Sequence, residues 1–140
     1  VHKYTITAWT DEETIKKIVR QIEKKIDVLQ AHYFTDEEIF AYEIALYKLS
    51  TPVFEREPKV SELIRRYNAR VVEVNPTYSA LEKDGTTEDI TAFYDELQKL
   101  GCVLQFVRSG RVALTKSCVE RVNEFLADRE ARYLKSKQTE

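Results

Sequence analysis

Residues 69–85 read ARVVEVNPTYSALEKDG, two runs of strand-forming residues on either side of Pro76 and Thr77. Val71, Val72 and Val74 carry branched Cβ atoms that suit a pleated strand, and the proline marks a turn. The pattern predicts a strand over 69–75, a tight reversal, and a returning strand over 78–83 that Asp84 and Gly85 close. Outward from this hairpin, apolar residues recur at helical spacing on both sides. Upstream, Val60, Leu63, Ile64 and Tyr67 make a short amphipathic helix that begins near Pro58 or Lys59. Downstream, Ile90, Phe93, Tyr94, Leu97 and Leu100 make a helix that starts at Thr87 and stops at Gly101, a residue suited to the left-handed exit. Two more strand patterns lie outside these helices, over 39–49 and 102–107, and the first is followed by a proline-bearing connector over 50–58 that argues against regular structure. Residues 39–107 therefore run β-α-β-β-α-β. That is the order of a ferredoxin-like split βαβ fold, a four-stranded antiparallel sheet covered on one side by two helices.

The first 35 residues read as part of a second such unit. Tyr4, Ile6 and Ala8 alternate with Thr5, Thr7 and Trp9, a strand pattern over 3–9. Thr10-Asp11-Glu12-Glu13 has the form of a capping box, a cap worth about 1 kcal/mol. Ile15, Ile18, Val19, Ile22 and Ile26 follow at helical spacing, and 28–34 reads as a second strand. Two strands and one helix bury too little to stand alone in water. The chain also begins at Val1, within a strand pattern, and contains no methionine. The expectation is a piece of a longer protein that completes its first unit with further sequence or with a second copy of itself. After the main fold, 111–115 is expected to add an edge strand across an Arg108-Ser109-Gly110 hairpin turn. Val119, Val122 and Phe125 or Leu126, then Tyr133, suggest a closing helix over 119–140 that becomes highly charged.

Composition narrows the function classes. The chain is 43% hydrophobic and 33% charged with a net charge of −2, so no basic field points to nucleic acid or to an anionic membrane. No apolar stretch approaches the ~18 residues of a membrane span, and no signal peptide is visible. With only Cys102 and Cys118 there is no disulfide framework, and a reducing cytoplasm is the expected setting.

A search for chemistry returns no active site. His2 and His32 lie thirty residues apart without ligand-spaced cysteines or carboxylates, so no metal site is expected. Ser109 sits between two strands rather than on a strand-to-helix elbow, with no histidine near it in sequence. Gly85, Gly101 and Gly110, the three glycines, form no phosphate-binding loop. Asp36-Glu37-Glu38 and the pair Glu55 and Glu57 look like solvated turns rather than general acid–base groups. The aromatics Tyr42, Tyr47, Tyr78 and Phe106 lack the basic central-strand motif of an RNA-recognition sheet. Catalytic, metal and cofactor assignments are therefore all none. Such a domain is built to be touched by another protein.

Four collinear stretches carry a family resemblance: QIEKKIDVLQ (21–30), EIALYKL (43–49), ARVVEVNPTYSALEKDGTTEDITAF (69–93) and FVRSGRVAL (106–114). Together they resemble the acetolactate (acetohydroxyacid) synthase small subunits. The resemblance implies an α+β architecture in which residues 1–35 are the C-terminal half of an ACT domain. Residues 36–118 would then be the ferredoxin-like C-terminal domain, and 119–140 a helical tail. It also implies a non-catalytic regulatory subunit that activates a thiamine-diphosphate-dependent large subunit. Such a subunit confers feedback inhibition by valine or a related branched-chain amino acid.

In this family the effector is held by a loop and helix start that lie before Val1, so no effector-binding residue is assigned and the 140 residues are expected not to bind valine with native affinity. The expected partners are the large subunit and a second copy of the chain, as a homodimer or larger assembly. Arg108 and Arg111 are the candidate residues for docking the large subunit. The alternative is an ACT-type amino-acid sensor that serves another enzyme or a transcription factor.

Overall fold

The computed structural model describes residues 1–117, together with 126, 127, 130 and 131. The chain separates into two compact units, one built chiefly on Ala41–Ala113 and the other on Ala8–Phe40.

The first unit holds the sheet. Strand β1 (Ile39–Ser50) is followed by two short helices, α2 (Thr51–Arg56) and α3 (Pro58–Arg66). Then come β2 (Arg70–Val74), β3 (Tyr78–Gly85), helix α4 (Thr87–Lys99) and strands β4 (Val103–Arg108) and β5 (Val112–Thr115). The spatial order is β2-β3-β1-β4, every neighbour antiparallel, and β5 also pairs with β1. This is the ferredoxin-like arrangement expected from the sequence. The 50–58 stretch departs from expectation, because it is helical rather than an irregular connector. Pro52 and Pro58 stand at helix starts, where a missing N–H costs nothing, so each proline opens a helix instead of breaking one.

The core lies between the helices and one face of the sheet. Ala45, Tyr47 and Leu49 of β1 and Leu81 of β3 face Val60 and Leu63 of α3 and Ile90, Phe93 and Leu97 of α4, all buried. Strand periodicity of two and helix periodicity of 3.6 aim these residues at one another. Tyr47 is the centre of an aromatic series, with ring centroids 4.9 Å from Phe93 and 5.0 Å from Phe106; Phe93 continues to Tyr67 at 5.2 Å and Phe106 to Tyr94 at 4.5 Å. Its buried hydroxyl donates to the Ile90 carbonyl at 2.9 Å, and burial raises its pKa well above the usual phenol range. Thr51 and Ser79 satisfy each other inside the same domain at 2.8 Å. Helix α4 starts where Thr86 accepts from the Asp89 amide, and it leaves through Gly101 at φ +66°.

In the second unit, helix α1 (Glu12–Glu23) is present as the spacing predicts, but its cap is Asp11, which accepts from the Thr14 amide at 2.8 Å, and not Thr10. The strand expected over 28–34 is not formed, and neither is that over 3–9, whose residues up to Thr7 belong to the first unit. Alternation supplies two faces, but a strand also needs a neighbour for its backbone groups. Tyr4, Ile6 and Trp9 are instead exposed. A short 3-10 turn, Asp36–Glu38, leads into β1; its capping box pairs Thr35 with Glu38, so the Glu38 carboxylate does the work of a turn. The helix expected over 119–140 lies almost wholly outside the described residues, as does Cys118.

Candidate functional site

Among the described residues, Ser109, Cys102 and the two histidines are not brought together into a catalytic group. Ser109 donates through its hydroxyl to the Gly110 carbonyl at 2.8 Å and accepts from the Ile44 amide at 3.1 Å, while its own amide donates to the Ile44 carbonyl. Its side chain thus closes the backbone of an interrupted strand. This corrects the hairpin reading of 108–110, because β4 and β5 both pair with β1 rather than with each other. Gly110, at φ +79°, supplies the left-handed step that the interruption needs. Cys102 is fully buried; its Sγ donates to the Leu97 carbonyl at 3.4 Å, and burial pushes the thiol pKa up. His2 and His32 are both exposed, and the His32 ring nitrogen Nε2 lies 3.3 Å from Gln30 Oε1. No cluster of three or more His, Cys, Asp or Glu side chains that could hold a metal occurs among the described residues. In the second unit Lys16, Arg20, Glu23 and Glu38 line a cleft of about 520 Å³ with both signs of charge.

The sheet offers more. β1 is apolar on both sides: Ala45, Tyr47 and Leu49 point into the core, while Tyr42, Ile44 and Leu46 form the uncovered face. Register carries that face across the neighbouring strands, with Leu46 opposite Val107 on one side and Glu82 on the other, and Ile44 opposite Asp84. Ile44, Leu46 and Val107 are 43, 49 and 52% exposed, so the apolar strip is half open to solvent. The rim is charged and ordered. The Tyr42 hydroxyl donates to Asp84 at 3.0 Å, a bond that raises the phenol's pKa, and Lys48 lies 4.5 Å from the Tyr78 ring centroid. Contiguous apolar area with a polar rim is the composition of a protein-binding surface.

The two arginines proposed for docking have different settings. The Arg108 guanidinium donates to Glu43, whose side chain is only 1% exposed on the helix-covered side of β1. A buried carboxylate needs a counter-charge, so Arg108 is first of all the residue that allows Glu43 to be there. It also stands directly opposite Ala45, so the ion pair links β4 to β1. Arg111 is partly buried beyond Gly110. Glu43 is legible in the sequence as an acid at an inward position. It falls on the inward phase of Glu43, Ala45, Tyr47 and Leu49, where an acid requires a partner from another strand. Lys83 is likewise buried on β3, in phase with Ser79 and Leu81, but it donates to the Asp84 carbonyl of its own strand at 3.2 Å.

Comparison with known proteins places this domain. Residues 42–117 match the family described as the small subunit of acetolactate synthase. The acetolactate synthase small subunit of Buchnera aphidicola subsp. Baizongia pistaciae is 26% identical over 117 residues, which cover 84% of this chain and 73% of that protein. The corresponding protein of Aquifex aeolicus is 29% identical over 126 residues, 89% of this chain and 65% of that one. The crystal structure of a small subunit from Thermotoga maritima superposes with a TM-score of 0.68 at 23% identity, over 79% of this chain and 68% of that one, and supports the fold.

Proposed function

This chain belongs to the family of acetolactate synthase small subunits, and from that premise we propose that it is a non-catalytic regulatory subunit in branched-chain amino-acid biosynthesis. Its task is to bind a thiamine-diphosphate-dependent large subunit, raise that enzyme's activity and transmit feedback inhibition by valine or a related amino acid. The observation that carries this reading is the match over 42–117, which falls on the domain whose central strand, β1, is apolar on both sides. The relatives share one name, so the alternative of a sensor for a different enzyme has no observation in its favour.

Regulation by such a subunit is a coupling free energy: an effector must prefer the arrangement of subunits in which the catalytic site works differently, typically by about 1–3 kcal/mol. A ferredoxin-like domain can serve because its sheet edges and uncovered face are free to repack. The reading includes a homodimer or larger homo-oligomer, a cytoplasmic setting, and the division into a partial ACT domain over 1–35, a ferredoxin-like domain over 36–118 and a tail over 119–140. No helix among the described residues is long and apolar enough to cross a membrane. Docking of the large subunit is proposed at the Arg108–Arg111 corner, with Arg108 oriented by Glu43.

The test is reconstitution: purified large subunit of an acetolactate synthase is titrated with this chain while acetolactate formation and complex formation are measured. Saturable binding and increased turnover are expected, and Arg111→Glu, checked by its thermal transition to be folded, should weaken both. A large subunit that neither binds the chain nor changes its rate would refute the proposal.

A further inference from the structure

We propose that β2 pairs edge to edge with β2 of a second copy, antiparallel about a two-fold axis, with Arg70 of each copy directly across from Glu73 of the other. The inference rests on the self-association proposed above and names the surface responsible. Strand β2 ends the sheet order, and β3 is its only strand partner among the described residues. All five of its residues are exposed, including Val71, Val72 and Val74 at 40, 48 and 58%. Edge strands that must stay unpaired are usually blunted by charged side chains, lysine above all, or by proline; Arg-Val-Val-Glu-Val has neither lysine nor proline, and its two charges are of opposite sign.

The order of charges chooses the occupant. Read backwards, Arg70-Val71-Val72-Glu73 becomes Glu-Val-Val-Arg, so an antiparallel copy sets arginine against glutamate twice and valine against valine twice. Opposite charges directly across a strand pair stabilise it, and like charges oppose it. The opposite edge of the sheet has no such self-complement: neither Val103–Arg108 nor Val112–Thr115 contains an acid.

Side-chain direction agrees. In a regular strand, residues three apart face opposite sides, which would put Arg70 and Glu73 out of each other's reach across the axis. The register irregularity between Val71 and Glu73 changes this. Arg70 lies opposite Glu82 and Glu73 opposite Ala80, two residues apart on β3 and therefore on one face. A bulge commonly blunts an edge; here it aligns the two charges. Both also keep bonding capacity. Arg70 spends one of its five N–H groups on Glu82 at 2.5 Å and its side chain is 71% exposed, while the Glu73 carboxylate accepts from the Tyr78 hydroxyl at 2.8 Å and from Asn75 at 3.3 Å.

The experiment is sedimentation velocity over a concentration series on the 140-residue chain and on Arg70→Glu, Glu73→Arg, their mixture, and the double variant that exchanges the two charges. Circular-dichroism melts check that each is folded, and Val72→Lys, at a position 48% exposed, serves as an independent disruption. Each single variant and Val72→Lys should associate about tenfold more weakly than wild type. The equimolar mixture of the two single variants, and the charge-exchanged double variant, should regain wild-type association. Folded single variants that associate as tightly as wild type would overturn pairing at β2 while leaving self-association standing, as would a mixture that fails to recover. A wild-type chain that stays monomeric at high micromolar concentration would remove both.

Discussion

Helix α1 and helix α3 have equally pronounced apolar stripes, yet α3 contributes buried Val60 and Leu63 to a core and α1 buries no residue. The same contrast holds for the segments that carry them. Every fully buried apolar residue among those described lies between Ala45 and Cys102, and none lies in Ala8–Phe40. An amphipathic pattern is enough to make a helix, because hydrogen bonds, a cap and i,i+4 pairs such as Glu12–Lys16 are local. Burial is not local: it depends on which surface is available to cover the stripe. The two regions differ less in what they encode than in whether they have a neighbour to complete it.

The largest expected effect is the sharpest test of this contrast. Phe93→Ala should destabilise the sheet domain by about 3–5 kcal/mol, whereas Ile22→Ala in α1, at a half-buried position, should cost about 1 kcal/mol or less. Urea denaturation of both variants measures the difference, and equal costs would break the distinction between a packed region and a patterned one.

Next in size is the buried ion pair. Arg108→Ala strands the Glu43 carboxylate and should cost about 2–3 kcal/mol, less than a wholly buried pair because the Arg108 side chain is 37% exposed. Adding Glu43→Gln to that variant should recover part of the loss, so a double-mutant cycle without coupling would show that the pair does not hold β4 to β1.

The smallest effect lies in α1. Bonds from the Thr14 amide and hydroxyl hold the Asp11 carboxyl below its usual 3.8. A depressed carboxyl contributes stability that is fully present above the unfolded value and is lost as pH falls through the lower folded one. Local order at the start of α1 should therefore persist to pH 3.8 and decline below it. The Thr14 amide resonance would follow this in an NMR titration, and a midpoint above 3.8 would contradict the cap.

Much of the fold could be read from residues whose neighbours in sequence are also neighbours in effect. The hairpin around Pro76, the helix from Thr87 to Gly101, and the inward Ala45, Tyr47 and Leu49 were all available from period and punctuation. The misreadings share one cause. Residues 3–9 alternate like a strand but have no ladder; 50–58 reads as broken because a proline's meaning depends on its position in the helix; and Arg108-Ser109-Gly110 reads as a reversal because the pairing of both arms with β1, rather than with each other, is a tertiary fact. The surface was legible in part. The outward Tyr42, Ile44 and Leu46 follow from alternation, but the alignment of Arg70 with Glu73 depends on a register irregularity that no periodicity announces.

The aromatic residues carry a consequence of their own. Trp9, the single tryptophan, is 98% exposed, whereas Tyr47, Phe93, Phe106, Tyr94 and Tyr67 form one continuous series through the sheet domain. The indole's emission is thus quenched and tuned by water whether or not the domain is folded, while the near-ultraviolet ellipticity arises from tyrosines locked in a chiral environment. The chain is divided optically as it is divided structurally, and a folding study that watched only tryptophan emission would be looking at the wrong half.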